Sequence, residues 1–222
     1  MVRHLLEADS IRKCYGSKSI LSDVWLKCAT GEVIGLLGRN GSGKSTLLKI
    51  LFGTVAADFC FLTIDGQKIS SIEDRIKWIS YLPQNNFIPK HFSVKKAIRL
   101  SIEPNQIASF LNDPVIANCI DKKMRELSAG ERRYLEIKLV LSNESKFVLL
   151  DEPFSGLSPI LIEAVTGLVR QNTTKGIIIT DHQYSEVLSV SGKLILMRNG
   201  TASHLHSAAE LAEQGYLSDG MI

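Results

Sequence analysis

The sequence is short of cysteine and of long apolar runs. Its four cysteines stand at positions 14, 28, 60 and 119 without CxxC spacing, which implies neither a zinc site nor a disulfide framework. No charge-free apolar run approaches the roughly 18 residues that a membrane-spanning helix needs. Glu7 and Asp9 occupy the region where a signal peptide would have its apolar segment. These absences predict a reduced, cytosolic protein that does not itself span a membrane.

An excess of charge of one sign is also missing. Lys and Arg number 26 and Asp and Glu number 23, which leaves a formal net charge of +3. That charge is too small for a surface that coats DNA, so no direct contact with nucleic acid is expected. The chain has 222 residues, of which 45% are hydrophobic, enough to build a core without metal or disulfide staples.

The apolar pattern of the first part predicts strands joined by tight turns. Residues 23–28 alternate between apolar and polar side chains, as in a half-buried strand. Residues 33–37 form the continuous apolar run that is typical of a strand buried on both faces. Two more strands are predicted at 59–64, before the hairpin turn Asp65-Gly66, and at 79–82.

Short capped helices follow, and then helices and strands alternate. Ser93 and the pair Asp113-Pro114 are typical of helix starts, which predicts an inserted helical lobe over about residues 85–126. The alternation after residue 127 is typical of a parallel sheet with helices on its faces. The helix that follows Ser158-Pro159 is expected to bury Ile160, Leu161, Ala164, Val165 and Leu168.

One segment matches the phosphate-binding pattern GxxxxGK[ST]: Gly38-Arg39-Asn40-Gly41-Ser42-Gly43-Lys44-Ser45-Thr46. It follows a predicted buried strand and opens a predicted helix. Such a loop points successive backbone N–H groups at an anion, and the helix dipole adds positive potential there. Lys44 would reach the β- and γ-phosphates of a nucleotide, and the Ser45 hydroxyl would ligate Mg²⁺. The alternative interpretation is a glycine-rich turn.

Two acidic residues, Asp151 and Glu152, end the apolar run 147–150. The carboxyl edge of a buried strand is where phosphate and Mg²⁺ would lie in such a fold. Asp151 suits the metal, directly or through water, and Glu152 could orient or deprotonate the water that attacks the γ-phosphate. Taken alone, the acidic pair could equally be a solvated turn, but a phosphate loop in the same chain favours the functional interpretation.

The segment Leu127-Ser128-Ala129-Gly130-Glu131 precedes another predicted helix. Ser128 and Glu131 fit a capping box, which by itself indicates only a well-capped helix. The functional interpretation is that this N-terminus binds a second phosphate, with Gly130 allowing its close approach.

In this order and spacing, the three motifs resemble those of the ATP-binding subunit of an ABC transporter. The family's signature is LSGGQ, from which Ala129 and Glu131 depart mildly. The resemblance covers essentially the whole chain and implies an α/β fold: a P-loop NTPase core with a mostly parallel sheet, an N-terminal antiparallel β subdomain and a small inserted helical subdomain. It implies one domain over residues 1–222, divided into 1–84, about 85–126 and 127–222.

The resemblance also implies functions for four further positions. Tyr15 matches the aromatic residue that stacks on adenine, and Gln84 matches the glutamine that touches Mg²⁺ and links the core to the helical lobe. Residues 155–158 match the loop that crosses the dimer interface, although most members have aspartate where this chain has Ser158. His182 matches the histidine that contacts the γ-phosphate. Without the resemblance, Tyr15 would be interpreted as a buried strand tyrosine, Gln84 as an ordinary loop residue and His182 as a helix-capping or solvated residue.

The resemblance finally implies cofactors and partners. ATP and Mg²⁺ would lie between the phosphate loop of one chain and the signature helix of a second copy or a homologous subunit, and the dimer would power transport through separate transmembrane permease subunits. The protein would then sit at the inner face of the cell membrane. Two alternatives stay open: a soluble ABC-type ATPase of assembly, repair or translation, and a binding module without ATPase activity. The apolar residues Phe87, Ile88 and Phe92 either dock on the membrane subunit or pack the helical lobe.

Overall fold

The computed structural model describes residues 2–207, 209–213 and 216. Its strands in this part of the chain are β1 (Leu5–Tyr15), β2 (Lys18–Ala29), β3 (Val33–Leu37), β4 (Phe59–Ile64), β5 (Gln67–Lys68), β6 (Ile79–Leu82), β7 (Phe147–Asp151), β8 (Gly176–Thr180), β9 (Lys193–Arg198) and β10 (Thr201–Leu205). Its helices are α1 (Lys44–Phe52), α2 (Ile72–Trp78), α3 (Val94–Ser101), α4 (Ile107–Leu111), α5 (Pro114–Ala117), α6 (Ala129–Ser142), α7 (Pro159–Gln171), α8 (Tyr184–Val190) and α9 (Ala209–Glu213).

The strands form two sheets. One is antiparallel, with the order β2-β1-β4-β5, and the other has the order β10-β9-β3-β8-β7-β6. In the second sheet every neighbouring pair is parallel except β9 and β10, which form the hairpin at Asn199-Gly200. The α/β fold with an antiparallel N-terminal sheet, a mostly parallel second sheet and an inserted helical lobe is therefore confirmed.

The central strands are apolar throughout because both of their faces are covered. Leu36 and Leu149 pack into a core that they share with α1 and the antiparallel sheet. Leu37 and Leu150, one position further along each strand, pack into a second core with α6, α7 and the helical lobe. Successive side chains of a strand point to opposite faces, so each strand contributes to both cores. Because these strands pair in parallel, the carboxyl ends of β3, β6, β7 and β8 lie at one edge of the sheet.

The helical lobe is fixed to the core by a buried ion pair. Asp113 caps α5 by accepting hydrogen bonds from the backbone N–H groups of Val115 and Ile116. Its other oxygen accepts from Lys138 Nζ and from the Tyr134 hydroxyl, both at 2.6 Å, and both of these residues belong to α6. Burial opposes the ionisation of Asp113, but the hydrogen bonds from Lys138 and Tyr134 outweigh it, so the net pKa of Asp113 is lowered.

The expected burial of Ile160 is wrong, since its side chain is 79% exposed. The buried stripe of α7 contains Val165 and Val169, four residues apart, and Leu161 continues it in the other direction. Residues at i and i+4 share a face of a helix, and Ile160 lies one position before that stripe.

No helix in the described part of the chain is both long enough and apolar enough to cross a membrane.

Replacing Asp113 by asparagine tests the ion pair as an anchor of the lobe. The Asp113→Asn variant leaves the Lys138 charge without its partner, and we expect the free energy of unfolding in urea at pH 7 to fall by about 3 kcal/mol. Asp121→Asn is the matched control, because Asp121 pairs with Lys95 at the exposed surface of the same lobe and should change stability by less than about 1 kcal/mol.

The pH dependence provides a second check on the same variant. A lowered pKa means that the wild type has this stabilisation above the unfolded-state pKa of aspartate, about 3.9, and loses it as pH falls through the folded-state value. The stability difference between the wild type and Asp113→Asn should therefore be constant from pH 7 to about pH 5 and narrow in stronger acid. A difference that widened in acid would contradict the assignment.

Candidate active site

The phosphate loop connects the end of β3 to an uncapped helix. Gly43 is the N-cap residue of α1, and no side chain accepts a hydrogen bond from the first N–H groups of that helix. Its φ of 103° suits glycine, and an added Cβ would lie 2.7 Å from Leu21 Cδ2. The free N–H groups and the helix dipole make this end of α1 an anion site.

Lys44 lies folded into the loop. Its Nζ donates to the backbone oxygens of Gly38 and Arg39, and its residue is only 7% exposed. Burial lowers the pKa of Lys44, while the charges of Glu152 and Asp151 oppose that shift. The Ser42 hydroxyl oxygen is buried without a hydrogen-bond partner. A buried cation, an unsatisfied hydroxyl and free N–H groups together fit a phosphate.

The remaining loop residues are more open to solvent. Arg39, Asn40 and Gly41 are exposed, and Thr46 in the first turn of α1 is half-buried. A cavity of about 370 Å³ lies beside residues 39–42. The outer part of the loop is therefore accessible to a ligand.

Asp151, at the end of β7, is held through both of its carboxylate oxygens. Ser45 Oγ donates to Oδ1 and the Tyr81 hydroxyl donates to Oδ2, each at 2.9 Å. Burial raises the pKa of Asp151, and these two hydrogen bonds act in the opposite direction. Burial, with the charge and hydrogen bond of Asp151, raises the pKa of Tyr81 above its usual range, so the phenol stays protonated and donates. No sequence pattern marks Tyr81 as functional, because the residues of a strand do not indicate which side chain of another segment they will contact.

The three residues that the sequence predicts to be catalytic come together around Glu152. The Glu152 carboxylate lies 2.9 Å from His182 Nε2 through Oε1 and accepts from Gln84 Nε2 at 2.9 Å through Oε2. The backbone of Glu152 has a φ of 52°, in the left-handed region that residues other than glycine enter at an energetic cost. Its N–H donates to Thr180 O of β8 at 2.7 Å, which holds this conformation in place.

Two further residues organise this edge without having been predicted. Arg133 of α6 is 5% exposed and donates to the carbonyl oxygens of Pro83, Asp151 and Glu152 at 2.7–2.9 Å. Asp181 accepts from the backbone N–H groups of Phe154 and Gln183 and so joins the loops that follow β7 and β8. Arg133 could have been found from the sequence, because an arginine on the buried side of a predicted helix needs polar partners. No pattern in the sequence marks Asp181.

The signature segment and Tyr15 lie apart from this cluster. Ser128 Oγ accepts from Glu131 N–H, and the Glu131 carboxylate accepts from Ser128 N–H, which is the capping box that the sequence allowed. At Gly130 an added Cβ would lie 2.9 Å from Leu161 Cδ1, so glycine permits α6 and α7 to pack closely. Tyr15 is 54% exposed. In the described residues, no hydrogen bond joins any of these four to the phosphate loop.

The donor set at the sheet edge fits Mg²⁺. Ser45, Asp151 and Gln84 offer a hydroxyl, a carboxylate and an amide oxygen, the hard ligands that Mg²⁺ prefers, and this ion usually takes its other ligands from substrate phosphates and water. No three His, Cys, Asp or Glu side chains gather as a metal site in residues 2–207, 209–213 and 216. A hydroxyl, a carboxylate and an amide oxygen suit a metal that arrives with a phosphate ligand.

Known proteins resemble this chain in sequence. The ABC transporter family profile matches residues 21–155. A probable ABC transporter ATP-binding protein of Azorhizobium caulinodans is 35% identical over 210 residues, covering 88% of this chain and 75% of that protein. The lipopolysaccharide export system ATP-binding protein LptB of Haemophilus influenzae is 34% identical over 211 residues, 88% of each chain.

Solved structures show the same fold. An ATP-binding subunit of an ABC transporter superposes with a TM-score of 0.85 at 20% identity over 96% of this chain and 95% of that one. A bacterial Atm1-family ABC exporter with ATP bound gives a TM-score of 0.85 at 20% identity, covering all of this chain and 42% of the exporter. A soluble ATPase of assembly, repair or translation finds no support among these relatives. The extent of the family match and the identity to full-length relatives place this chain in the ABC transporter family, as an ATP-hydrolysing, ATP-binding subunit that drives transport.

Proposed function

We propose that the chain binds ATP with Mg²⁺ at the phosphate loop, pairs head to tail with a second copy or a homologous subunit, and powers solute transport through separate membrane subunits. It would then work in the cytoplasm, held at the inner face of the cell membrane by those partners. The observation that carries the proposal is the meeting of Lys44, Ser45, Asp151 and Glu152 at one edge of the parallel sheet. Membership of the ABC transporter family indicates that the ligand at this edge is ATP.

The first step that these residues support is the binding of the triphosphate. The N–H groups at the start of α1 and the Lys44 ammonium hold the phosphates. Ser45, Asp151 and Gln84 would hold Mg²⁺, whose charge would offset that of the phosphates. Tyr15 offers an exposed ring on which adenine can stack, and Lys13 Nζ already lies 5.1 Å from the centre of that ring. The loop residues 38–46 fix the phosphates in place relative to Glu152.

The second step is the deprotonation of the attacking water by Glu152. Both oxygens of this carboxylate are already engaged, by His182 and by Gln84, so its orientation is set before a substrate arrives. A general base must lie within hydrogen-bond reach of the proton that it takes. The His182 side chain is 43% exposed and can extend from Glu152 towards the γ-phosphate. Gln84 connects the same carboxylate to the loop that enters the helical lobe.

The second half of the site would come from the partner. The N-terminus of α6, with Ser128 and Gly130, faces solvent in one chain and would meet the γ-phosphate bound by the other. Ile160, 79% exposed, directly follows Ser158 and Pro159 at the end of the loop over residues 155–158. In the proposed dimer, Ile160 would lie beside the loop that crosses to the partner. Ser158 stands where most family members have aspartate, so the negative charge of that aspartate is missing from this surface.

An apolar groove between the helical lobe and the core offers a docking surface for the membrane subunit. The groove has a volume of about 340 Å³, and its walls include Phe52, Ile76, Phe87 and Leu100. Three of these are exposed: Ile76 by 55%, Phe87 by 46% and Leu100 by 68%. Transport requires a path through the membrane, so the subunit that supplies energy must contact the one that forms the path.

The sequence leaves open whether Phe87, Ile88 and Phe92 dock on the membrane subunit or pack the helical lobe, and the three residues differ in their surroundings. Phe87 lies in the groove, Ile88 is 9% exposed and belongs to the core, and Phe92 is half-buried against that core. The loop that presents Phe87 is fixed from below, because the buried Glu136 carboxylate accepts the N–H groups of both Phe87 and Ile88.

Replacing Glu152 tests the proposed general base. Glu152→Gln keeps the volume of the side chain but cannot accept a proton, so turnover of ATP should fall by about 10²–10⁴-fold while nucleotide affinity is retained. Hydrolysis would no longer open the ATP-bound dimer in this variant. Glu152→Gln should therefore accumulate as a dimer with ATP and not with ADP, as measured by light scattering. Glu144→Gln, at an exposed position, is the control. Equal turnover in the wild type and Glu152→Gln would remove Glu152 from this function.

Two substitutions test the nucleotide-binding residues. Lys44→Ala removes the charge that faces the phosphates and should weaken ATP binding strongly. Tyr15→Ala should weaken it by about 1–3 kcal/mol, the range for stacking of a base on an aromatic ring. Trp25→Ala is the control for an exposed aromatic residue of the same sheet. A nucleotide titration in which Tyr15→Ala and Trp25→Ala have equal affinity would reject the stacking assignment.

Four serine substitutions test the groove. Phe87→Ser and Leu100→Ser should abolish co-purification with a membrane partner from detergent extracts, because small interfaces depend on a few apolar anchors. Their melting temperatures should stay within about 2 °C of the wild type. Phe61→Ser, at a similarly exposed position on the antiparallel sheet, should retain the partner, and Ile88→Ser should instead lower the melting temperature. Partner retention in both groove variants would refute the docking surface.

A further inference from the structure

Tyr81 touches both the end of β7 and the apolar groove. It is the third residue of β6, and its hydroxyl reaches the carboxyl end of the neighbouring strand β7, where it donates to Asp151 Oδ2 at 2.9 Å. Its ring lies 5.4 Å from the ring of Phe52, centre to centre, at the last residue of α1. Both rings line the apolar groove. One side chain therefore touches the groove and the carboxylate proposed to hold Mg²⁺.

The two donors to Asp151 are not equivalent. Ser45 donates to Oδ1 from the first turn of α1, and its hydroxyl is itself a proposed ligand of Mg²⁺. If that hydroxyl were to ligate Mg²⁺, Oδ1 of Asp151 would lose its donor. Tyr81 donates to the other oxygen, Oδ2, and its hydroxyl is not a proposed ligand of Mg²⁺. In the described residues, the Tyr81 hydrogen bond would then be the one side-chain hydrogen bond that still fixes the rotation of the Asp151 carboxylate.

Burial makes this fixed donor important. Asp151 is 1% exposed, so water cannot readily replace a lost hydrogen bond, and a carboxylate without donors in such a place is costly. Groups that donate to a metal-binding carboxylate orient it, and their removal typically costs about 10–100-fold in metal affinity or activity.

We propose that Tyr81 is a positioning residue of the Mg²⁺ site, which orients Asp151 through its hydroxyl while Phe52 seats its ring at the groove. The inference rests on the proposed metal site and does not depend on what occupies the groove. It adds to the Gln84 connection a second contact between the groove and the site, through the metal carboxylate and not through Glu152.

The experiment is a metal titration of the full chain. Tyr81→Phe keeps the ring, and with it the groove wall and the Phe52 contact, and removes only the hydroxyl. With saturating ADP, free Mn²⁺ measured by electron paramagnetic resonance should show an affinity about tenfold weaker than in the wild type. Tyr134→Phe is the matched control, because it also removes a hydroxyl that donates to a partly buried aspartate, Asp113, away from the site.

Phe52→Leu tests the seating of the ring. It should weaken Mn²⁺ binding in the same direction and to a smaller extent, because the phenol keeps its hydroxyl but loses part of its support. Nucleotide affinity in the presence of a chelator should be the same in all four proteins.

The outcomes separate this inference from the proposed function. Unchanged Mn²⁺ affinity in Tyr81→Phe would overturn it, as would an equal loss in Tyr134→Phe, which would indicate a general effect of destabilisation. Unchanged Mn²⁺ affinity in Phe52→Leu would reject the function of Phe52 in seating the ring, and the function of the Tyr81 hydroxyl would stand. A wild-type chain that binds no ADP would contradict the proposed function itself, and partner docking does not enter the measurement.

Discussion

The burial of two adjacent carboxylates at the end of β7 is the constraint on which the rest of the site depends. Asp151 is 1% exposed and Glu152 is 9% exposed, and buried carboxylates are costly unless they accept hydrogen bonds. Three other segments of the chain each send donors to this point: Ser45 from α1, Tyr81 and Gln84 from β6 and the loop after it, and His182 from the loop after β8. The need to satisfy the acids thus fixes the mutual placement of the phosphate loop, the glutamine loop and the histidine loop. The left-handed backbone of Glu152 is sustained by the same surroundings.

Helix α6 transmits this placement to the rest of the molecule. Arg133 holds the carbonyl oxygens of Pro83, Asp151 and Glu152. Glu136, three residues later and fully buried, holds the loop that presents Phe87 to the groove. Burial raises the pKa of Glu136, against the effect of the two backbone N–H groups that it accepts. A single helix therefore positions the candidate site, the groove and, at its N-terminus, the signature segment, so none of the three can shift independently of the others.

The two helix N-termini proposed to bind ATP differ in whether their first N–H groups are already capped. The start of α1 has no side-chain cap and no acid in its first turn, so its N–H groups are available to the first phosphate that arrives. The start of α6 is already closed by the capping box of Ser128 and Glu131, and the hydrogen bonds from Ser128 lower the pKa of Glu131, which keeps a negative charge there. An anion gains less from a helix end whose donors are in use. The chemistry of one chain therefore favours binding at α1 first, with α6 contributing when a partner brings it onto the bound nucleotide.

The sequence by itself determined the elements and the polar residues that stand at their ends. The apolar run at 33–37, the glycine pattern at 38–46 and the acids after 147–150 predict local structure and local chemistry, because period, turn residues and caps act within a few residues of the chain. Only the tertiary structure decided which of these ends meet. The contact of Tyr81 with Asp151, the three carbonyls held by Arg133, the exposure of Ile160 and the division of Phe87 from Ile88 all depend on segments far apart in sequence. Such contacts follow from how two packed cores bring strand ends and helices together, and a local pattern of residues carries no record of its distant neighbours.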